Sequence, residues 1–201
     1  NHTFMSGPLC LKSNVDLHLE ATAVLLANPD EGIYKMSAFG ENRGEGMMWI
    51  YANGADNISI TGKGTIHGNG IAFMGKELDD SYELKPVTTF DPRPHVLTLT
   101  DVKNLTIRDI TIRDGAYWTV HLIGCDGAVI DGISLLNNLK IRNGDGIDLD
   151  HSRNVRISNC HITSGDDCIC LKNRREFEQY GPCHDITVTN CVMTSRSCAI
   201  K

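Results

Sequence analysis

Asn154-Val-Arg-Ile-Ser-Asn-Cys-His-Ile162 returns 31 residues later as Asp185-Ile-Thr-Val-Thr-Asn-Cys-Val-Met193. Earlier copies read Gly127-Ala-Val-Ile-Asp-Gly-Ile-Ser-Leu135 and Asn104-Leu-Thr-Ile-Arg-Asp-Ile-Thr-Ile112. A still earlier one, Asn57-Ile-Ser-Ile-Thr-Gly-Lys-Gly-Thr-Ile66, carries one extra residue. Alternation of apolar and polar residues within each copy calls for a strand with one buried face. The starts lie 47, 23, 27 and 31 residues apart, and the 47 leaves room for two coils. Such spacing, with glycine and asparagine at the corners, calls for a solenoid of strands. Leucine-rich repeats would need a leucine scaffold and helical periodicity, which no stretch sustains for three turns. The expected fold is all-β, a right-handed parallel β-helix.

Residues 27–50 and 69–94, rich in glycine, proline and charge, interrupt the rhythm and read as long loops leaving the coil. Strand-like residues stand close to both ends: Val15 to Leu19 near the start, and Val192 onward running off Lys201 without a polar cap. Residues 1–201 therefore read as one partial β-helix domain that continues beyond both ends. The chain opens at Asn1 with neither methionine nor leader, so a signal has been removed or the segment belongs to something longer.

A hydrophobic content of 41% with 22% charged residues fits a globular protein, and its short apolar runs predict no membrane span. The net charge of −6 argues against nucleic acid. Eight cysteines lack zinc-site spacing, and Cys160 and Cys191 hold equivalent places in successive copies. Buried thiols packed as small hydrophobes are expected there, with a disulfide as the alternative. No metal or other cofactor is expected.

Two acidic clusters, Asn143-Gly144-Asp145 and Gly165-Asp166-Asp167-Cys168, stand 21 residues apart. In a solenoid of nearly that period, Asp145 would lie against Asp166 and Asp167 on neighbouring rungs. Crowded carboxylates raise one another's pKa, so one should keep its proton near neutral pH. Arg142, Lys172, Arg174 and Arg175 flank the clusters and form either a solvated rim or a basic patch for an acidic polymer. Asp148 reads as a turn aspartate. Trp118 and His121, one coil earlier, either contact a sugar or, for the tryptophan, close the end of the core. His161 and His184 fall at corners and should face solvent.

The segment Asn143-Gly-Asp-Gly-Ile-Asp148, followed by Ser164-Gly-Asp-Asp-Cys168, resembles the paired signature of glycoside hydrolase family 28, the polygalacturonases and their relatives. Gly62-Lys-Gly-Thr-Ile-His-Gly-Asn-Gly70, Arg93-Pro94 and Tyr117-Trp-Thr-Val-His121 add to the likeness, which spans nearly the whole chain. The resemblance implies inverting hydrolysis of a glycosidic bond in polygalacturonan or rhamnogalacturonan. By motif, Asp166 would be the general acid, while Asp145 and Asp167 would hold and deprotonate the water. Asn143 would orient Asp145 or the substrate.

The chain departs from the family in lacking a Gly-His-Gly motif one coil after the Asp pair. Thr194-Ser-Arg-Ser-Cys-Ala-Ile-Lys201 stands there, and Arg196 or Lys201 could supply the positive charge. The implied partner is an acidic plant cell-wall polysaccharide, met by a secreted or periplasmic monomer. The rival readings are a β-helix pectate lyase using calcium and a non-catalytic glycan-binding β-helix.

Overall fold

A computed structural model describes residues 2–40, 46–77, 83–86 and 93–201. Each coil contributes one strand to each of three parallel sheets, wound as a right-handed β-helix. The first sheet holds Leu9–Cys10, Met47–Asn53, Pro94–Thr100, Val120–Ile123, Ile147–Asp150 and Ile169–Lys172. The second holds Val15–Leu19, Asp56–Gly62, Lys103–Arg108, Asp126–Asp131, Arg153–Ser158 and His184–Thr189. The third runs from His2–Ser6 through Ala23–Ala27, Thr65–His67, Thr111–Arg113, Ser134–Leu136 and His161–Ser164 to Val192–Ser195.

Every copy of the repeat supplies a strand to the second sheet and then one to the third. The copies stack in register, with Ile60, Ile107, Ile130, Ile157 and Val188 in one column. The four isoleucines are fully buried, each contributing about 1.5–3 kcal/mol by leaving water. Cys160 is buried two residues beyond the paired Ser158 and Thr189, with Cys191 as its neighbour; burial first, then Cys191, pushes its thiol up to about 11. All eight cysteines are free thiols.

The corners explain the asparagines. Asn14, Asn57, Asn104, Asn154 and Asp185 share one corner column with Gly127, all with φ between 54° and 79°. Asparagine and aspartate visit this left-handed region more readily than other side chains. The column also bonds to itself: Asn57 Nδ2 donates to Asn14 Oδ1 at 2.9 Å, and Asn104 Nδ2 to Asn57 Oδ1 at 3.2 Å. The extra residue of the 57–66 copy falls in the next turn, since Thr61 pairs with Arg108 but Thr65 with Thr111. Gly62 there has φ 110°, and a Cβ would stand 2.1 Å from the Leu19 carbonyl oxygen.

One expectation is corrected. The 47 residues between Asn57 and Asn104 do not make two coils, because Asp56–Gly62 pairs directly with Lys103–Arg108. The surplus leaves the coil after Thr65–His67 as a 3₁₀ turn, Gly70–Phe73, and an antiparallel pair, Met74–Glu77 with Leu84–Pro86. Residues 41–45, 78–82 and 87–92 of the two expected loops lie outside the described residues. The first loop covers the outer face of the first sheet, where Phe39 meets His95 and Trp118. A second cover is the 3₁₀ turn Arg175–Tyr180; Phe177 reaches His121, and Glu176 Oε2 accepts from Gly40 N at 2.7 Å. No helix among the described residues is long and apolar enough to cross a membrane.

Candidate active site

The turns entering the first sheet carry the acidic clusters. Val120, Ile147 and Ile169 are paired, and Ile200 bridges Ile169. Two residues before each of these lie Trp118, Asp145, Asp167 and Cys198, which therefore form one column. Gly146 N donates to Asp167 O at 2.9 Å, and Thr119 N to Asp145 O at 3.0 Å, so the register persists through the turns. The structure thus brings Asp145 and Asp167 together, with Asp166 beside them.

Several residues that sequence reasoning passed over hold these turns. Asn137, buried, donates to Thr119 Oγ1 at 2.6 Å and Gly144 O at 3.1 Å while accepting from Gly115 N at 3.0 Å. Ser164 and Ser195 each donate a hydroxyl to Asp166 O at 2.5 Å, pinning its backbone from two rungs. Arg93, fully buried, donates to Arg142 O at 2.7 Å and Ala116 O at 3.2 Å. Asparagines and serines look like any turn residue in a sequence. Only the Arg93-Pro94 pair gave a signal, by its place before a strand.

Asp145 is 2% exposed, Asp148 0% and Asp167 2%, whereas Asp166 is half-buried. Burial pushes the Asp145 carboxyl up to about 6; Lys172 opposes this, while Asp166 and Asp167 add to it. Asp148 is raised well above the carboxylate range, first by burial and then by Asp145. The interaction between the two side chains raises Asp148 and lowers Asp145, so Asp148 is the one that keeps a proton. Burial would raise Asp167 too, but Ser197 and Lys201 outweigh it and hold it below the usual range. Lys201 Nζ stands 3.1 Å from Asp167 Oδ2. Arg196 instead turns to Leu139 O at 3.1 Å and Glu83 at 3.7 Å.

The flanking residues separate into two groups. Arg142 is exposed, and Asn143 is half-buried at φ 52°, at the open edge of the turn. Lys172 points inward to Asp148 Oδ1 at 3.1 Å and Asp145 Oδ2 at 3.5 Å. Arg174 pairs with Glu176 at 2.6 Å and lies over the Phe39 ring at 4.0 Å. Neither cation is set out as a carboxylate clamp.

Trp118 and His121 are also corrected. Trp118 neither closes the coil core nor offers a free face: it belongs to a separate cluster with Phe39 and Tyr117, stacked on His95 at 5.4 Å. His121 is fully buried beneath Trp118 and Phe177, with Nε2 3.5 Å from Asp150 Oδ2, and cannot reach a sugar. Burial lowers its pKa despite Asp150, keeping the ring neutral. His161 and His184 are exposed.

The raised carboxyl has a consequence for stability. The folded pKa of Asp145 exceeds its unfolded value, so its favourable contribution is complete below about pH 4 and is lost as pH rises through about 6. Asp145→Asn is expected to stabilise the fold at pH 8 by on the order of 2 kcal/mol and to change little near pH 4. Chemical denaturation of both proteins at the two pH values checks it; a gain that does not depend on pH would show that ionisation is not its source.

The family model described as glycosyl hydrolases family 28 matches residues 2–195. A probable polygalacturonase of Vitis vinifera is 28% identical over 97% of this chain and 40% of its own length. An exopolygalacturonase of Oenothera organensis is 27% identical over 83% of this chain and 41% of its own. The exopolygalacturonase of Thermotoga maritima shares the fold with a TM-score of 0.80 at 20% identity, over 99% of this chain and 53% of that one. For the family 28 exopolygalacturonase of Yersinia enterocolitica the TM-score is 0.77 at 23% identity, over 95% and 42%. The chain spans about 40% of the length of the first curated relatives it matches. With the family match running through the repeat copies and both acidic rungs, the chain belongs to glycoside hydrolase family 28.

Proposed function

We propose that the full-length protein hydrolyses glycosidic bonds in a pectic polysaccharide with inversion, using Asp166, Asp145 and Asp167. The observation that carries the reading is the stacking of Asp145 under Asp167, with Asp166 beside them at a half-buried, approachable position. Asp166 delivers a proton to the departing glycosidic oxygen. Asp145 and Asp167 hold a water against the opposite face of the sugar and take its proton as the new bond forms. Asp167 is held ionised by Ser197 and Lys201, so the proton acceptor that titrates in the working range is Asp145. Arg142 and Asn143, at the open edge, are the residues placed to meet the polymer. Such a polymer lies outside the cell, in keeping with a secreted or periplasmic protein.

Phe39, Trp118 and Arg174 wall the sheet face on the coil preceding Asp145. A polysaccharide running along the coil axis would meet that wall, which favours attack near a chain end.

Incubation of the full-length protein with polygalacturonate should release reducing ends without an unsaturated product, and with slow loss of viscosity. The acid limb of kcat/KM should fall near pH 6, since Asp145 must be ionised to accept a proton. An unsaturated uronide whose formation stops in chelator would mean a lyase. Binding with no reducing ends would mean a glycan-binding protein, and rapid viscosity loss would overturn the chain-end reading.

A further inference from the structure

Lys172 occupies a place no turn or packing requirement explains. It ends its strand of the first sheet in register with Asp150, yet its side chain folds back over the acidic rung and is only 17% exposed. Its Nζ lies 3.1 Å from Asp148 Oδ1, 3.5 Å from Asp145 Oδ2, 3.3 Å from Cys170 Sγ and 4.2 Å from the Trp118 ring centroid. An ammonium has three N–H donors. They reach Asp145 Oδ2 and Cys170 Sγ, while the charge faces Asp148 beneath the Trp118 ring, so the ammonium is turned away from a substrate carboxylate.

Resting on the hydrolytic reading above, we propose that Lys172 is a positioning residue: it bridges Asp145 and Asp148 and supplies the one positive charge that lets a member of this buried pair ionise. Ionised together, Asp145 and Asp148 would place two negative charges beside one ammonium in a buried space. With Asp148 protonated, Asp145 and Lys172 form a neutral pair. Asp148, the more deeply buried of the two, keeps the proton, and the ammonium lets Asp145 ionise, which is what a proton acceptor must do. Burial would lower the lysine's pKa, but Asp148 and Asp145 outweigh it and raise it, so the cation persists throughout the working range. The other charged or titratable groups around the pair are Asp166 and Asp167 on the next rung, Lys201 on Asp167, Cys170, and His95, His121 and Arg174 across Trp118. Both histidines are held neutral by burial, and Arg174 is committed to Glu176. None of these replaces the Lys172 ammonium between the two carboxyls.

The test is Lys172→Met and Lys172→Arg in the full-length protein. Loss of the cation should move the acid limb of kcat/KM upward by about one to two pH units. The activity lost at pH 5 should largely return at pH 8, with KM little changed, and Lys172→Arg should restore the limb. A KM increase larger for polygalacturonate than for its methyl ester, with the limb unmoved, would overturn the proposal and make Lys172 a substrate clamp. Carbon-13 titration of the aspartate carboxyls reads the same shift without turnover, so an unmoved Asp145 resonance in Lys172→Met refutes the role even if no substrate is cut. Absence of hydrolysis by the unaltered protein would instead defeat the functional reading alone. Should Lys172→Met not fold, the Lys172 Nζ resonance of the unaltered protein decides. It should shift as Asp145 titrates near pH 6, and a flat response would overturn the bridge.

Discussion

Asp166→Asn in the full-length protein is expected to cut turnover by about 10²–10⁴-fold, the usual worth of a general acid, while the melting temperature holds or rises slightly. Asparagine keeps the volume and much of the hydrogen bonding but cannot deliver a proton. What Asp166 gives the fold is its backbone: the carbonyl accepts from the Ser164 and Ser195 hydroxyls at 2.5 Å each, and both bonds survive the change. The lost charge also relieves Asp145, whose carboxyl Asp166 helps to raise, so the Asp145 titration should move down in the variant. A structural aspartate would behave oppositely, melting earlier and losing activity only through unfolding. Turnover, melting and carboxyl titration on one preparation separate the two, and near-normal turnover would remove Asp166 as the acid.

The strands were legible because a half-buried strand writes its buried face directly into period-2 alternation, and because each corner needs a left-handed residue that Asn, Asp or Gly supplies. The meeting of Asp145 with Asp167 followed from the same repeat. The 47-residue interval was not legible: its length fits one coil with an excursion as well as two coils, and only the pairing of Asp56 with Lys103 decides. Nor was the state of Trp118 and His121. Alternation with the core residues Val120 and Leu122 turns His121 out of the coil, and Trp118 lies in the turn before that strand, but whether such a side chain meets solvent depends on a cover. That cover is Phe39, about 80 residues earlier in the chain, together with Phe177. Lys172 shows a related limit. Its position beside the acidic motif allowed either a solvated rim or a patch for the polymer, whereas the four-carbon stem folds back onto the carboxylates. Asp148, read as a turn aspartate, is a fully buried strand residue in the same cluster. A corner residue is fixed by its own backbone angle. A long charged side chain is fixed by what lies within its reach, which the local sequence does not record.

Gly146→Ala is expected to lower turnover by about 10²-fold or more, because it forces the two acidic rungs apart. A Cβ at this position would stand 2.4 Å from the Cys168 carbonyl oxygen and 2.9 Å from an Ile162 methyl. The clash is with backbone that cannot yield cheaply. Cys168 O accepts from Ile147 N at 2.9 Å, and Asp167 O accepts from Gly146 N at 2.9 Å, so these bonds are the rung spacing itself. Relief must shift Asp145 relative to Asp166 and Asp167, and a displacement of about 1 Å at a reacting centre can cost 10²-fold. Overpacking of this kind destabilises by about 1–3 kcal/mol, which leaves enough folded protein to assay. Gly127→Asn is the control: φ is 79° there, the nearest atom to an added Cβ is 3.6 Å away, and Asn104 and Asn154 occupy the same column at φ 56° and 55°. That variant should keep both stability and turnover. If Gly146→Ala matches the control in turnover, the distance between the acidic rungs does not govern catalysis, and the water cannot be held between Asp145 and Asp167.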